Sequence, residues 1–255
     1  MVVVAIDHGS CDAHPMDGTA VPLDDWRPFV RIVDLADAPT ATDSVVVIDV
    51  IRAFTTAAVA FANGAEHIRC VEDLGQAFAL REATPGAVLM GEERGLRPEG
   101  FDIGNSPTEP TRDLVGGRTV VQRTSNGTRA LVAAKAAEHL FAVAASNVGA
   151  TYRCLHLLRP HEVTIVCSDS MTEDRACAEH LEELIRRGTA DPGLLTRRVV
   201  ASSAEHLDLW KQQHARAQRD LFLADIAVCA AVDTVSFAMA ATRHDGYVEL
   251  RRISV

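Results

Sequence analysis

The chain has 255 residues, 47% of them apolar, which is enough to bury a substantial core as one large domain or two compact halves. Its formal net charge of −10 argues against a broad surface for nucleic acid or anionic membranes, because both need a positive field. An acidic protein can still bind an anion locally, so the composition leaves small anion sites open.

The cysteines and the N-terminal residues indicate the compartment. Six cysteines are scattered without a Cys-x-x-Cys pair, which is typical of reduced cytosolic thiols rather than of a zinc site or a disulfide scaffold. The apolar run at residues 2–6 lacks a basic segment and is too short for a signal peptide. We therefore expect a soluble cytoplasmic protein with neither a membrane nor a nucleic acid as partner.

Short β-branched runs alternate with alanine-rich stretches, which predicts an α/β fold of layered, mostly parallel sheet units with flanking helices. The predicted strands are residues 45–48, 67–71, 88–90, 119–122, 140–144 and 163–167. The predicted helices are residues 54–62, 128–137, 147–158, 173–187 and most of 194–232. Asn63-Gly64 and Gly188 are typical of helix ends, and they follow the first and fourth of these helices.

The C-terminal residues predict a different structure. Residues 235–242 and 247–253 flank the Asp245-Gly246 step, which suits a tight turn between antiparallel strands. We expect this hairpin to form an edge of the domain. Residues 10–43 carry prolines, aspartates and two short apolar pieces, and they predict no definite element.

Two stretches, residues 45–71 and 119–143, share one order of elements: strand, polar turn, alanine-rich helix, the letters Ala-Glu-His, and a second strand. The pattern indicates either an internal duplication or two similar but unrelated units. The chain is accordingly either a single α/β unit over residues 1–255 or two similar α/β halves with a boundary near 110–118. In both cases two strand ends can converge on one site.

The first candidate site follows the strand at 45–48. Asp49 is placed to hold a metal or to act as a base or nucleophile, since strand carboxyl ends form the ligand crevice of open α/β sheets. Arg52 offers a bidentate fork for phosphate, and Thr55 and Thr56 add hydroxyls at a helix N-terminus. The alternative is that Asp49 and Thr55 only cap the helix.

The second candidate follows the strand at 88–90. Glu92 and Arg94 lie between glycines that permit close backbone approach, and Asn105 and Ser106 come shortly after. Carboxylate and guanidinium groups in such a loop suit a site for a metal and an anion. The alternative is an ordinary charged surface loop.

The third candidate lies between the strand at 119–122 and the next helix. It supplies hydroxyls, an amide and a glycine that can wrap an anion, namely Thr124, Ser125, Asn126, Gly127 and Thr128. The segment is neither a P-loop nor a dinucleotide fingerprint. The alternative is a turn with Thr128 as helix cap.

The fourth candidate is the acidic segment at residues 169–174. Glu173 and Asp174 begin a helix, where acidic side chains also satisfy the helix dipole. The ten histidines form no ligand array, and we interpret them as structural. Cys167 and Cys177 lack the loop of a cysteine phosphatase, and we interpret both as buried thiols.

Taken together, three stretches resemble the 2-phosphosulfolactate phosphatase family in order and spacing. They are Val-Ile-Asp-Val-Ile-Arg-Ala-Phe-Thr-Thr at 47–56, Gly-Glu-Glu-Arg-Gly-Leu-Arg-Pro-Glu-Gly-Phe-Asp-Ile-Gly-Asn-Ser-Pro at 91–107, and Thr-Ser-Asn-Gly-Thr-Arg-Ala-Leu at 124–131. The resemblance continues through Ser146-Asn147, the helix start at Glu173 and residues 225–229, so it covers roughly residues 45–235.

The resemblance implies a cytoplasmic, Mg²⁺-dependent phosphomonoesterase that hydrolyses 2-phosphosulfolactate to sulfolactate and phosphate, a step toward coenzyme M. The sequence departs from the family pattern at Phe54, at residues 168–171 and at Glu179. A related small phosphorylated 2-hydroxyacid is therefore also a candidate substrate. The alternative class is a non-catalytic binder or sensor of a phosphorylated metabolite, and a homodimer is compatible with the sequence.

These considerations lead to three groups of predicted site residues. The catalytic group is Asp49, Arg52, Glu92 and Arg94. The substrate-binding group is Thr55, Thr56, Asn105, Ser106, Thr124, Ser125, Asn126, Gly127 and Thr128. The ligands predicted for Mg²⁺ are Asp49, Glu92, Glu173 and Asp174. The nucleophile is either a metal-bound water or Asp49; Ile51 stands where aspartyl-phosphate enzymes usually have a second acid, which favours water.

Overall fold

The computed structural model of the chain describes residues 25–213 and 216–255. The apolar run at residues 2–6, Cys11 and the first part of the unplaced segment at 10–43 lie outside the described residues. In the part that is described, no helix is long and apolar enough to span a membrane.

The described residues form nine strands, eight α-helices and two short 3₁₀ helices. The strands are β1 (Phe29–Asp34), β2 (Ser44–Ile48), β3 (His67–Val71), β4 (Val88–Gly91), β5 (Thr119–Arg123), β6 (His139–Val143), β7 (Glu162–Cys167), β8 (Phe237–His244) and β9 (Tyr247–Ser254). The α-helices are α1 (Ala53–Ala62), α2 (Leu74–Glu82), α3 (Arg112–Val115), α4 (Gly127–Ala133), α5 (Val148–Leu158), α6 (Thr172–Arg187), α7 (Pro192–Gln213) and α8 (Arg216–Cys229). The 3₁₀ helices are Leu35–Thr40 and Ala145–Asn147.

The predicted α/β class with a mostly parallel sheet and flanking helices is confirmed. The sheet has nine strands in the order β1-β7-β2-β6-β8-β9-β3-β5-β4. The first four strands are parallel to one another, and so are the last three. The antiparallel β8–β9 hairpin joins these two parallel blocks.

The hairpin near the C-terminus is confirmed, but its predicted position at an edge is wrong. β8 pairs with β6 and β9 pairs with β3, so the hairpin lies in the middle of the sheet. Its apolar side chains explain the position, because Phe237, Met239, Val248 and Leu250 are buried against the core shared with the helices. The Asp-Gly step predicts the turn of a hairpin, whereas the neighbours of its strands depend on distant residues.

Two further expectations need adjustment. The predicted helix at residues 128–137 ends at Ala133, and Ala134 with a ψ of 59° leaves the helical conformation. Just beyond this end, the guanidinium of Arg243 donates to the carbonyl oxygens of Ala134 (2.5 Å) and Ala137 (2.8 Å). The elements β1, α2 and α3 were not predicted, although Asp73 and Gln76 form a complete capping box at the start of α2.

The sheet is covered by helices on both faces. Side chains of β2 alternate, so Val45 and Val47 pack with α1 and α4 while Val46 and Ile48 pack with α5 and α6. All five residues of β2 are buried, as expected for a parallel strand between two helical layers. This burial places the carboxyl end of β2 deep inside the molecule.

The carboxyl ends of two distant strands lie close together. Following the pairings, the two parallel blocks run in opposite directions, yet the side chain of Gln122 in β5 donates a hydrogen bond to the carbonyl of Ala53 in α1 (2.9 Å). The carboxyl ends of β2 and β5 are therefore close to each other, although the two strands are not neighbours in the sheet. The two strand ends converge, as the sequence suggests.

The two similar stretches at 45–71 and 119–143 occupy matching positions. β2 pairs with β6 and β3 pairs with β5, both in parallel, with His139 opposite Ser44 and His67 opposite Thr119. All of these strands belong to one continuous sheet. The internal duplication, and with it the division of the chain into one unit or two halves, stays a prediction.

The five described cysteines are free and buried: Cys70, Cys154, Cys167, Cys177 and Cys229. Burial raises the pKa of the Cys154 thiol to about 11 and that of Cys167 to about 12. Both thiols are therefore protonated at neutral pH, which suits packing rather than nucleophilic chemistry.

Candidate active site

Loops that follow β2, β4, β5 and β7 surround a cavity of about 210 Å³. Several predicted site residues line it, namely Asp49, Arg52, Glu92, Arg94, Asn105, Thr124, Ser125 and Asn126. Each of these loops follows the carboxyl end of a parallel strand, which is the usual place of ligand sites in open α/β sheets. The candidates from three separate stretches of sequence thus meet in one place.

Asp49 follows β2 directly and is only 6% exposed. Its Oδ1 accepts a hydrogen bond from the backbone N–H of Ala53 (2.9 Å), so it does cap α1, as the simpler interpretation expects. Its Oδ2 accepts no hydrogen bond from the described residues, and the side chain lines the cavity. Capping and a role in the cavity are therefore compatible, because they use different oxygens.

Several carboxylates crowd around Asp49. Burial and the charge of Asp169, with smaller contributions from Glu173 and Glu92, raise the pKa of Asp49 to about 7, against the Ala53 hydrogen bond that lowers it. Burial and the charge of Asp49 likewise raise the pKa of Asp174 well above its ordinary value. Like charges in a buried site repel each other, so this arrangement favours a positive charge in the cavity.

Glu92 organises the second and third candidate segments. Its Oε1 accepts from the backbone N–H of Ser125 (2.5 Å), and its Oε2 accepts from the N–H of Gly95 (2.6 Å) and from Oγ of Ser125 (3.1 Å). These bonds tie the loop after β4 to the loop after β5. Glu92 is consequently both a cavity residue and the link that fixes Ser125.

Arg52 and Arg94 are held very differently. The Arg52 guanidinium is nearly buried and pairs with Asp225 of α8 (2.9 Å), while Phe222 lies against it with its ring centroid at 5.6 Å. Arg94 is exposed, and no described residue forms an ion pair with it. The cavity therefore has one arginine in a fixed orientation and one that can adapt.

Several predicted substrate-binding residues direct their hydroxyls elsewhere. Thr55 Oγ1 donates to the carbonyl of Val50 (2.7 Å), and Thr56 Oγ1 donates to the carbonyl of Arg52 (2.9 Å). Thr128 Oγ1 accepts from the N–H of Thr124 (2.8 Å). These three side chains hold the backbone of the two strand-end loops and do not line the cavity.

Ser106 and Gly127 also lie beside the cavity rather than in its lining. Ser106 Oγ donates to Asp225 Oδ1 (2.5 Å). A Cβ atom on Gly127 would lie 2.6 Å from Asp49 Oδ2, so the missing side chain of Gly127 leaves room for that carboxylate.

Glu173 and Asp174 lie at the start of α6 and are buried. Glu173 Oε1 is 2.6 Å from His206 Nε2, whereas its Oε2 is buried with no hydrogen-bond partner among the described residues. Asp174 accepts from the N–H of Val50 (2.8 Å) and from Oγ of Ser168 (2.9 Å). Asp174 therefore fixes the loops after β2 and β7, and Glu173 keeps one oxygen without a partner.

The structure adds cavity residues that the three groups of predicted site residues did not include: Ile51, Gly95, Asp169, Met171, His206 and Phe222. Asp169 accepts from the side-chain amide of Asn126 (3.1 Å). Burial opposes protonation of His206, but the hydrogen bond and charge of Glu173 prevail and raise its pKa. The sequence carried no spacing signal for His206 or Phe222, since α7 and α8 lie far along the chain from the strand-end loops.

The residues present fit a divalent cation. In residues 25–213 and 216–255, no three His, Cys, Asp or Glu side chains form a ready-made metal cage, so the four predicted ligands are not assembled as one set. Mg²⁺ usually takes only one or two carboxylates and keeps several waters. Asp49 Oδ2 and the unpartnered Glu173 Oε2 are oxygen donors of that kind.

The arrangement combines the parts that phosphoryl transfer needs. Carboxylates suited to a cation, a fixed guanidinium, and the hydroxyls and amides of residues 124–126 surround one small cavity. Such groups act by positioning the phosphoryl group and stabilising its charge.

Comparison with known proteins gives consistent matches. The family model described as 2-phosphosulpholactate phosphatase matches residues 30–243. The probable 2-phosphosulfolactate phosphatase of Bacillus subtilis (strain 168) is 40% identical over 143 residues, which are 55% of this chain and 63% of that protein, less than two thirds of its length. The probable 2-phosphosulfolactate phosphatase of Synechococcus sp. (strain RCC307) is 34% identical over 223 residues, 80% of this chain and 91% of that protein.

A third relative has the same name. The probable 2-phosphosulfolactate phosphatase of Thermus thermophilus is 36% identical over 205 residues, 74% of this chain and 84% of that protein. The matched region includes every strand-end loop of the cavity. The chain therefore belongs to the 2-phosphosulpholactate phosphatase family of phosphoric monoester hydrolases.

Proposed function

We propose that this protein hydrolyses 2-phosphosulfolactate, or a related small phosphorylated 2-hydroxyacid, to the hydroxyacid and phosphate with Mg²⁺ as cofactor. The observation that carries the proposal is the single cavity in which the strand-end carboxylate Asp49 meets Arg52 and Arg94. A cavity of about 210 Å³ suits a small metabolite better than a nucleotide. The names of the relatives support the same substrate class.

The charges in the cavity explain the need for a cation. A phosphomonoester carries a charge of about −2 near neutral pH, and a sulfonate and a carboxylate add two more negative charges. The carboxylates of Asp49, Asp169 and Glu173 would repel such a substrate. Asp49 and Glu173 are the residues that would hold Mg²⁺, which when bound polarises a phosphoryl oxygen and offsets this repulsion.

The two arginines bind different anionic groups of the substrate. Arg52 is fixed by Asp225, so its planar fork is suited to one recurring partner, the phosphoryl group. Arg94 has no ion-pair partner in the described chain, so it is suited to the second anionic group. The hydroxyls and amides of residues 124–126 orient the phosphoryl group between them.

Asp49 is the side chain closest to a direct chemical role. Its Oδ1 is bound to Ala53, which fixes Oδ2 toward the cavity, either as a cation ligand or as a nucleophile. Ile51 lines the cavity at the position where a second acid would protonate the leaving group of an aspartyl-phosphate enzyme. Water is therefore the favoured nucleophile.

A non-catalytic binder is the competing class, and the composition of the cavity argues against it. A protein that only binds a polyanion gains from arginines and loses from carboxylates, because acids repel the ligand. Asp49, Asp169 and Glu92 nevertheless lie in or at the cavity. Carboxylates beside arginines are typical of cation-assisted hydrolysis.

The test is phosphate release from 2-phosphosulfolactate by protein stripped of metal with a chelator and then titrated with Mg²⁺. We expect negligible turnover without metal and recovery on addition of Mg²⁺. The exposed variant Asp113→Asn, on α3, is the control for carboxylate removal and should behave like the wild type. Full turnover by the metal-free protein, without response to Mg²⁺, would contradict the proposed cofactor.

A further inference from the structure

Asp225 of α8 is a fully buried carboxylate that lies outside the four candidate segments at the strand ends. It is 0% exposed and lies 173 positions from its partner Arg52 along the chain. Its Oδ2 is 2.9 Å from Arg52 Nη1, and the side chain of Arg52 is itself only 10% exposed. The pair is therefore shielded from solvent, yet Arg52 also lines the cavity.

Both oxygens of Asp225 are occupied. While Oδ2 pairs with Arg52, Oδ1 accepts a hydrogen bond from Ser106 Oγ (2.5 Å), and Ser106 Oγ is also 2.7 Å from Thr108 Oγ1. A carboxylate held at both oxygens cannot rotate, so it fixes the position of the guanidinium nitrogen that it binds. The carboxylate thus links α8, the loop after β4 and Arg52.

The Arg52 guanidinium is held on further sides. Its Nη2 donates to the carbonyl of Gly95 (3.4 Å), and the Phe222 ring lies 5.6 Å from its central carbon. Charge-assisted bonds in a fork geometry determine orientation as well as position. An arginine that must bind one face of an anion benefits from such fixation, because less side-chain entropy is lost on binding.

We propose that Asp225 is a positioning residue for phosphate binding: it orients the Arg52 guanidinium toward the phosphoryl group of the substrate. This inference rests on the proposed function, in which Arg52 binds that group. Asp225 does not line the cavity, so it acts on the phosphoryl group through Arg52. A buried ion pair is weak support for stability in itself, since the desolvation of both charges offsets their attraction.

A double-mutant cycle separates positioning from a structural role. We measure kcat/KM for phosphate release, and the dissociation constant of inorganic phosphate in the presence of Mg²⁺, for wild type, Asp225→Asn, Arg52→Gln and the double variant. Asp225→Asn should lower kcat/KM and weaken phosphate binding by about tenfold or more. In the Arg52→Gln background the same substitution should change either quantity by less than about twofold.

The matched control is Glu249→Gln. Glu249 is also buried, at 3% exposed. Its carboxylate pairs with Arg69 at a distance of 3.1 Å, and neither residue lines the cavity. Glu249→Gln should lower the melting temperature but leave kcat/KM and phosphate binding within about twofold of wild type. Asp225→Ser replaces the asparagine variant in the cycle if the latter does not fold.

The outcomes distinguish this inference from the proposed function. An effect of Asp225→Asn below about twofold in the wild-type background, or above about twofold in the Arg52→Gln background, overturns the positioning role. If the wild type releases no phosphate from any substrate, the proposed function fails, and the phosphate-binding cycle alone decides the role of Asp225. If the wild type turns over and the cycle is additive, only the positioning role fails.

Discussion

Replacing Gly127 by alanine should damage catalysis without unfolding the protein. A Cβ atom at this position would lie 2.6 Å from Asp49 Oδ2, 3.0 Å from Asp49 Cβ and 3.1 Å from Ala53 Cβ. The backbone cannot yield easily, because Asp49 Oδ1 is bound to the N–H of Ala53. The carboxylate of Asp49 must therefore shift away from its place in the cavity.

Gly127→Ala should have a small effect on stability and a large effect on activity. Overpacking costs about 1–3 kcal/mol, and replacing a helical glycine by alanine returns up to about 1 kcal/mol. The net loss of stability should therefore be about 0–3 kcal/mol, within the reserve of an ordinary domain. A displacement of a catalytic group by about 1 Å can reduce turnover by about 10²-fold, and we expect a loss of that order in kcat.

Gly149 provides a matched control. A Cβ atom there would lie 2.6 Å from Asp233 Oδ2, which is the same clash with an aspartate at a helix start, but Asp233 does not line the cavity. Gly149→Ala should lower the melting temperature while leaving kcat unchanged. Equal kcat values for the two alanine variants would refute the assignment of Asp49 to the reaction, and so would wild-type turnover in Gly127→Ala.

The remaining predictions concern three side chains. Asp49→Asn should lower kcat by about 10³-fold with the fold intact, whereas normal turnover with a reduced melting temperature would indicate that Asp49 only caps α1. Arg94→Gln should lower kcat/KM by about tenfold for a substrate with a second anion but by less than about twofold for a simple phosphomonoester; a uniform loss for both substrates would contradict its role. Asp73→Ala removes the capping box of α2 and should cost about 1 kcal/mol of unfolding free energy with unchanged turnover, measured by denaturant titration.

Much of the fold follows from local sequence patterns. Apolar β-branched runs followed by helical stretches predict the class and most of the strands, and the polar residues at their ends predict the loops around the cavity. The central position of the β8–β9 hairpin could not be predicted, because strand neighbours depend on contacts such as β9 with β3. The contacts of Arg243 with the carbonyls just beyond α4 could not be predicted either, because Arg243 lies more than 100 positions away.

The candidate site, like the fold, could be predicted from the sequence only in part. Asp49, Glu92 and the segment at 124–126 follow strands directly, so their meeting place follows from the rule for strand carboxyl ends. His206, Phe222 and Asp225 come from α7 and α8, whose packing over the cavity leaves no spacing signal in the sequence. The sequence also cannot distinguish hydroxyls that enter the cavity from those that bind the backbone, as Thr55 does.

The most direct test of the proposed function is the substrate preference of the Mg²⁺-loaded wild-type protein. We would compare kcat/KM for 2-phosphosulfolactate, phospholactate and 2-phosphoglycerate with kcat/KM for glucose 6-phosphate and a nucleoside monophosphate. A cavity with a fixed Arg52 and an adaptable Arg94 predicts a preference of at least about tenfold for the phosphorylated 2-hydroxyacids, or about 1.4 kcal/mol of differential transition-state binding. A tenfold preference for the sugar phosphate or the nucleotide would contradict the proposed substrate class.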